Sequence, residues 1–114
     1  FKLRPTGTLF AGVYPDTRFL RKKLLDLTPK KVINAFCFSG ALGIVCARDF
    51  SQEILQVDSS PAALEWAKKS WELNASKHPQ TEMRFLCDEC LNFFSREIRR
   101  IESGAARSDL IILD

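Results

Sequence analysis

Four short apolar runs recur along the chain: "KVINAF" at 31–36, "EILQV" at Glu53–Val57, "MRFLC" at Met83–Cys87 and "DLIILD" at Asp109–Asp114. Between them, apolar residues fall at helical spacing. Strands that alternate with helices of about 10 to 15 residues define βαβ units and a parallel sheet. The near-continuous "LIIL" reads as a central strand, apolar on both faces and covered by helices on both sides. The expected fold class is α/β, a doubly wound, mainly parallel sheet.

The helical segments carry their own punctuation. Around Asp16 to Leu27, Phe19, Leu20, Lys23, Leu24 and Leu27 share one period, and "TPK" ends it. "GALGIVCAR" reads as a second helix with small residues at its start. The clearest helix spans Ser60 to Asn74: Ser60 can cap it, and Pro61 has its φ already set for the first helical position. Ala63, Leu64, Ala67 and Trp71 make its apolar stripe. Trp71 is therefore read as core and Trp66 as partly exposed, with base stacking the alternative use of that ring. Leu91, Phe94, Ile98 and Ile101 give a fourth amphipathic helix.

At 114 residues, 46% hydrophobic and 27% charged, the chain has the size and composition of one globular domain. Residues 1–28 read as a lead-in and helix, and 29–114 as the βαβ core. The chain stops where a buried central strand should continue, so we expect a partial domain that is inactive in isolation. No apolar run approaches the roughly 20 residues of a membrane span, and the start lacks a secretory apolar segment. This favours a reducing compartment, the cytoplasm or an organellar matrix. The net charge of +3 is mild. The basic stretches Arg18–Leu24 and Arg96–Arg100 read first as solvated helix faces and second as phosphate contacts.

The four cysteines are Cys37, Cys46, Cys87 and Cys90. Cys87 and Cys90 form C-x-x-C at a strand-to-helix junction, where a redox pair or half of a zinc site is an option. The other candidate ligands lie at irregular spacing, so no metal is assigned. Cys87 and Cys90 are read as small hydrophobes of strand and helix. His78, in a polar stretch before a proline, is read as exposed.

The stretch "NAFCFSGALG", Asn34 to Gly43, follows the first strand. In a doubly wound sheet the ligand sits over the C-terminal strand ends. Glycines there let backbone approach it without a Cβ in the way. The alternative is that Gly40 and Gly43 serve helix–sheet packing. Asp58 follows Gly40 by 18 residues, near the spacing at which a carboxylate reaches ribose hydroxyls. The dinucleotide fingerprint needs a glycine where Phe38 stands, so a nucleoside without a pyrophosphate fits better than a nicotinamide dinucleotide. Asp88, after the third strand, suits an adenine amino group or a helix N-cap.

These stretches together resemble the class I S-adenosylmethionine-dependent methyltransferases, and within them the large-subunit ribosomal RNA methyltransferases of the cytosine-5 type. The matching pieces are Asn34 to Gly43, Val57 to Ser60, the pattern Ala63, Leu64, Ala67, Leu73 and Asn74, and an upstream set of Gly12, Tyr14, Asp16, Arg18 and Arg21. Thr17 departs from the family's glutamine. The resemblance implies a Rossmann-like sheet continuing beyond the fourth strand, S-adenosyl-L-methionine as cofactor and RNA, ribosomal RNA above all, as substrate. By position it implies that Phe36, Cys37, Ser39 and Gly40 line the methionine side. It places Asp58 and Ser59 at ribose, Asp88 and Glu89 at adenine, and Arg18 near the carboxylate. Asp114 would open a D-P-P-like motif at the methyl-transfer site. A non-catalytic methyltransferase-like module for binding or assembly is the competing reading.

Overall fold

Ser60 sets the most regular element. Its backbone is extended (φ −92°, ψ 113°), its side chain accepts from the Ala63 N–H at 3.2 Å, and Pro61 opens the helix Pro61–Glu72. One of the four unpaired N–H groups of a helix start is thereby satisfied. The computed structural model describes residues 18–48 and 51–113; Gly12, Tyr14, Asp16, Thr17 and Asp114 lie outside them.

In chain order the elements are α1 (Arg18–Leu24), β1 (Lys31–Ala35), α2 (Ala41–Val45), β2 (Glu53–Asp58), α3 (Pro61–Glu72), β3 (Glu82–Cys87), α4 (Cys90–Glu102) and β4 (Leu110–Leu113), with a 3₁₀ turn at Ala75–Lys77. The four strands form one parallel sheet in the order β3-β2-β1-β4. The α/β expectation holds. Alternate residues of β1 serve opposite faces. Val32 joins Leu24, Leu42, Cys46, Ala47, Ile54 and Ile112 on one side. Ile33 and Ala35 join Val57, Cys90 and Phe93 on the other. Each fully buried aliphatic such as Ile54 contributes about 1.5–3 kcal/mol.

Several boundaries and faces differ from expectation. α1 ends at Leu24 because Leu25, Asp26 and Leu27 turn back on bonds to the third residue before them, leaving Leu27 exposed. α2 stops at Val45 through the same contraction at Cys46 and Ala47. Trp71 packs against the core as expected, but Trp66 is buried as well. Trp66 is buried against Phe38, ring centroids 5.4 Å apart, whereas Trp71 is half-buried and stacks on His78 at 6.4 Å. That stacking leaves His78 half-buried, with Nδ1 shut away from solvent, so it is not the exposed residue expected.

α4 buries Cys90 and Phe93, while Leu91 and Ile98 of the expected stripe face outward. β4 buries Ile112 but exposes Ile111 and Leu113. Among the described residues it pairs with β1 alone and lies at an edge of the described sheet. Cys87 is exposed because β3 forms the other edge, which corrects its reading as a buried hydrophobe.

Candidate functional site

β1 ends one residue earlier than the apolar run, and the consequence is conformational. Phe36 (φ 55°) and Phe38 (φ 51°) both occupy the left-handed region, as does Gly40 (φ 78°). For bulky residues this is a genuine outlier, costing about 1–3 kcal/mol each, and it persists only where surrounding contacts hold it. Those contacts are specific. The N–H groups of Phe36, Cys37 and Phe38 donate in turn to Cys90 Sγ (3.3 Å), the Val57 carbonyl (3.1 Å) and Asp58 Oδ2 (3.0 Å). Gly40 closes the turn on the Cys37 carbonyl at 2.8 Å.

Asp58 ends β2 with both oxygens engaged, Oδ1 accepting from the Ser60 N–H at 2.9 Å. Its own carbonyl accepts from the Asp88 N–H at 3.0 Å, which ties the end of β3 to the end of β2. A carboxylate has roughly four acceptor positions, so two remain open to a ligand diol. Asp58 is partly exposed, and Ser59 and Glu89 beside it are exposed. The turn, the half-open carboxylate and an exposed rim fit a nucleoside-like cofactor at the strand ends. Asp88 is not the N-cap expected: Glu89 takes that position without a side-chain capping bond, and the Asp88 carboxylate pairs with Arg96.

Beneath the turn lies a pair that sequence reading overlooked. Asn34 and Gln56 are register partners on β1 and β2, both fully buried. Asn34 Nδ2 donates to Gln56 Oε1 at 2.8 Å, and Gln56 Nε2 donates to the Gly40 carbonyl at 3.1 Å. Asn34 Oδ1 is buried and meets no donor. A Cβ on Gly43 would stand 2.3 Å from Gln56 Nε2, and one on Gly40 would stand 3.0 Å from Ala67 Cβ. Both glycines therefore do serve close packing, and Gly40 serves the turn as well. The signal was present in the strings "KVINAF" and "EILQV": one amide in each of two otherwise apolar strands.

The buried thiols Cys37, Cys46 and Cys90 are chemically quiet. Burial, then Asp58, then Cys90 push the Cys37 thiol upward, and burial raises Cys46 to about 11. Burial likewise raises Cys90. Reactive cysteines show the opposite shift. Among the described residues no group of three or more His, Cys, Asp or Glu is placed to hold a metal ion, and all four cysteines are free. The structure thus gathers Phe36, Cys37, Ser39, Gly40, Asp58, Ser59, Asp88 and Glu89 at one sheet edge. Arg18 stands exposed at the start of α1, with no ion pair among the described residues, and Asp114 lies outside them.

The fold matches those of solved methyltransferases. A SAM-dependent methyltransferase from Agrobacterium tumefaciens superposes with a TM-score of 0.78 at 28% identity, over 95% of this chain and 34% of that one. An O-methyltransferase from Bacillus cereus in complex with SAH shares the fold at a TM-score of 0.59 and 20% identity, over 90% of this chain and 45% of that one. The chain has the Rossmann-like fold of the S-adenosylmethionine-dependent methyltransferases.

In sequence it is similar to ribosomal RNA large subunit methyltransferase K/L. The match is 31% identical over 115 residues in Shewanella sp. (strain ANA-3), covering 100% of this chain and 15% of the relative. In Pseudoalteromonas atlantica it is 30% over 97 residues, covering 84% of this chain and 13% of the relative. The chain thus spans a small fraction of the curated relatives it matches. No protein-family model matches it.

Proposed function

We propose that this chain is the cofactor-binding part of a methyltransferase domain whose full protein methylates ribosomal RNA. The observation that carries the reading is the strained turn Phe36–Gly40 held on Asp58 at the C-terminal edge of a parallel sheet. S-adenosylmethionine, once bound, supplies an electrophilic methyl group on a sulfonium. The residues of this chain bind and orient it. The two open acceptor positions of Asp58 take the ribose hydroxyls. Phe36, Cys37, Ser39 and Gly40 bound the methionine side, and Ser59, Asp88 and Glu89 border adenine. Arg18 would serve the carboxylate, and Asp114, outside the described residues, would open the motif at the methyl-transfer site. Catalysis then rests on alignment, since fixing methyl and nucleophile in line is worth roughly 7–11 kcal/mol.

The names of the K/L relatives support ribosomal RNA as the substrate class. No described helix is long and apolar enough to cross a membrane, and free thiols suit a reducing compartment. The test has two parts. Calorimetry should show S-adenosylhomocysteine binding and no comparable NAD binding. The full-length protein should transfer labelled methyl to large-subunit ribosomal RNA. Tighter NAD binding sinks the cofactor reading, and absent transfer sinks the substrate reading.

A further inference from the structure

The sheet carries a second concavity. Strand register sets Lys31 beside Glu53 in one row, and Ile33, Leu55 and Arg84 in the next, on the face under α4. Above them α4 presents Phe93, Arg96, Glu97 and Arg100, and the loop Ala106–Ser108 closes one side, leaving a cavity of about 500 Å³. Its floor is apolar and its rim is charged.

The charge is unequal. Five cationic side chains line the cavity against two carboxylates. Each carboxylate already has an arginine: Glu53 meets Arg84 at 3.2 Å, and Glu97 meets Arg100. Arg107 has no ion pair among the described residues. Arg100 is held by both oxygens of Glu97 and by the Ala106 carbonyl, whereas Arg84 keeps more than half of its side-chain surface in solvent on a single contact to Glu53, so its guanidinium can turn to a ligand. Exposed pairs of this kind are worth about 0–1 kcal/mol, little resistance to an exchange of partner. Guanidinium forks match phosphate oxygens two at a time. The cavity runs along the face from the starts of β1 and β2 (Lys31, Glu53) to Leu86 and Arg96, and Arg96 pairs with Asp88.

We propose that this groove holds backbone phosphates of the RNA substrate on Arg84 and Arg107. The inference rests on the reading of RNA as substrate. A positive groove of this kind supplies sequence-independent affinity and fixes register without reading bases.

The test uses the full-length protein, a fluorescein-labelled fragment of large-subunit ribosomal RNA and the variant Arg84→Gln/Arg107→Gln. RNA affinity should fall about tenfold or more at low salt. The slope of log affinity against log salt should shrink by about two, one per lost cation. S-adenosylhomocysteine affinity should not move, which shows the variant folded. Glu53→Gln, which removes an anion from the rim, should tighten RNA binding. Unchanged RNA affinity and slope in a variant that still binds S-adenosylhomocysteine overturns the groove alone. Polyglutamate binding as tight as RNA also overturns it, in favour of an acidic protein partner. Wild-type protein that binds no RNA at any salt overturns both this site and the substrate reading.

Discussion

The Phe38 backbone N–H donates to Asp58 Oδ2 across 3.0 Å, joining residues twenty apart in the chain. One carboxylate thus holds a left-handed aromatic residue in place and leaves two acceptor positions for a ligand. Asp58→Ala should weaken S-adenosylhomocysteine binding by about 2–3 kcal/mol, the scale of a lost charge-assisted hydrogen bond, with some loss of stability as Phe38 relaxes. Calorimetry and urea unfolding on the same preparation separate the two effects. Full affinity in a folded variant would remove Asp58 from the site.

Gly43→Ala should destabilise the fold by about 1–3 kcal/mol, because its Cβ would meet a side chain that is itself buried and hydrogen-bonded. Gln56→Ala carries its own cost. The double variant should lose less than the two singles together, since the clash vanishes with the amide. Strict additivity in the thermodynamic cycle would show that Gly43 and Gln56 do not constrain each other.

Alkali should destabilise the protein through its buried thiols. Burial lifts Cys46 from an ordinary 9.0 to about 11 in the folded state. A raised folded value means that stability is fully present below about 9 and lost as pH rises toward 11. The share from Cys46 is about 2–3 kcal/mol. Urea midpoints measured up the pH scale should fall less steeply above pH 9 in Cys46→Ala. Parallel curves for variant and wild type would contradict the assignment.

Asp109 governs the acid side. Its carboxylate accepts from the N–H groups of Lys31 (3.0 Å) and Lys30 (2.9 Å), and these bonds hold it below its ordinary 3.8. A depressed folded value contributes stability above about 3.8 and loses it as pH falls through the folded value. Asp109→Asn should lower the unfolding midpoint at neutral pH and flatten the decline below pH 4. An unaltered acid limb would place that decline on other carboxylates.

The kind and succession of elements were legible because apolar runs and helical periods alternate, and a parallel sheet follows from that alternation. The ends of elements were not. Where α1 and α2 stop depends on bonds to the third residue back, which leave no compositional trace. The turn at Cys37 to Gly40 was visible as a ligand loop through its glycines and through Asp58. Its strain was not, because nothing in "AFCFSG" says that two phenylalanines adopt positive φ; that is decided by Cys90, Val57 and Asp58 from elsewhere in the chain. Periodicity assigned Leu91 and Ile98 to the core, yet which face of α4 meets the sheet is set by Cys90 and Phe93 at its first turn. Asn34 and Gln56 were readable in principle, as lone amides at matching depth in two strands.

The sheet order carries a kinetic consequence. Asn34 reaches Gln56 by closing a loop of 22 residues, whereas Lys30 reaches Asp109 only across 79. Loop-closure entropy grows by about 0.6 kcal/mol per doubling, so the second closure costs about 1 kcal/mol more than the first. Non-local pairings are also the slow ones in folding. β1, β2 and β3 can therefore assemble as a unit before β4 docks. The bonds from Phe36, Cys37, Phe38 and Gly40 described above run to residues between Cys37 and Cys90, inside that unit. As the chain emerges during synthesis, the turn can take its strained shape while β4 is still unpaired.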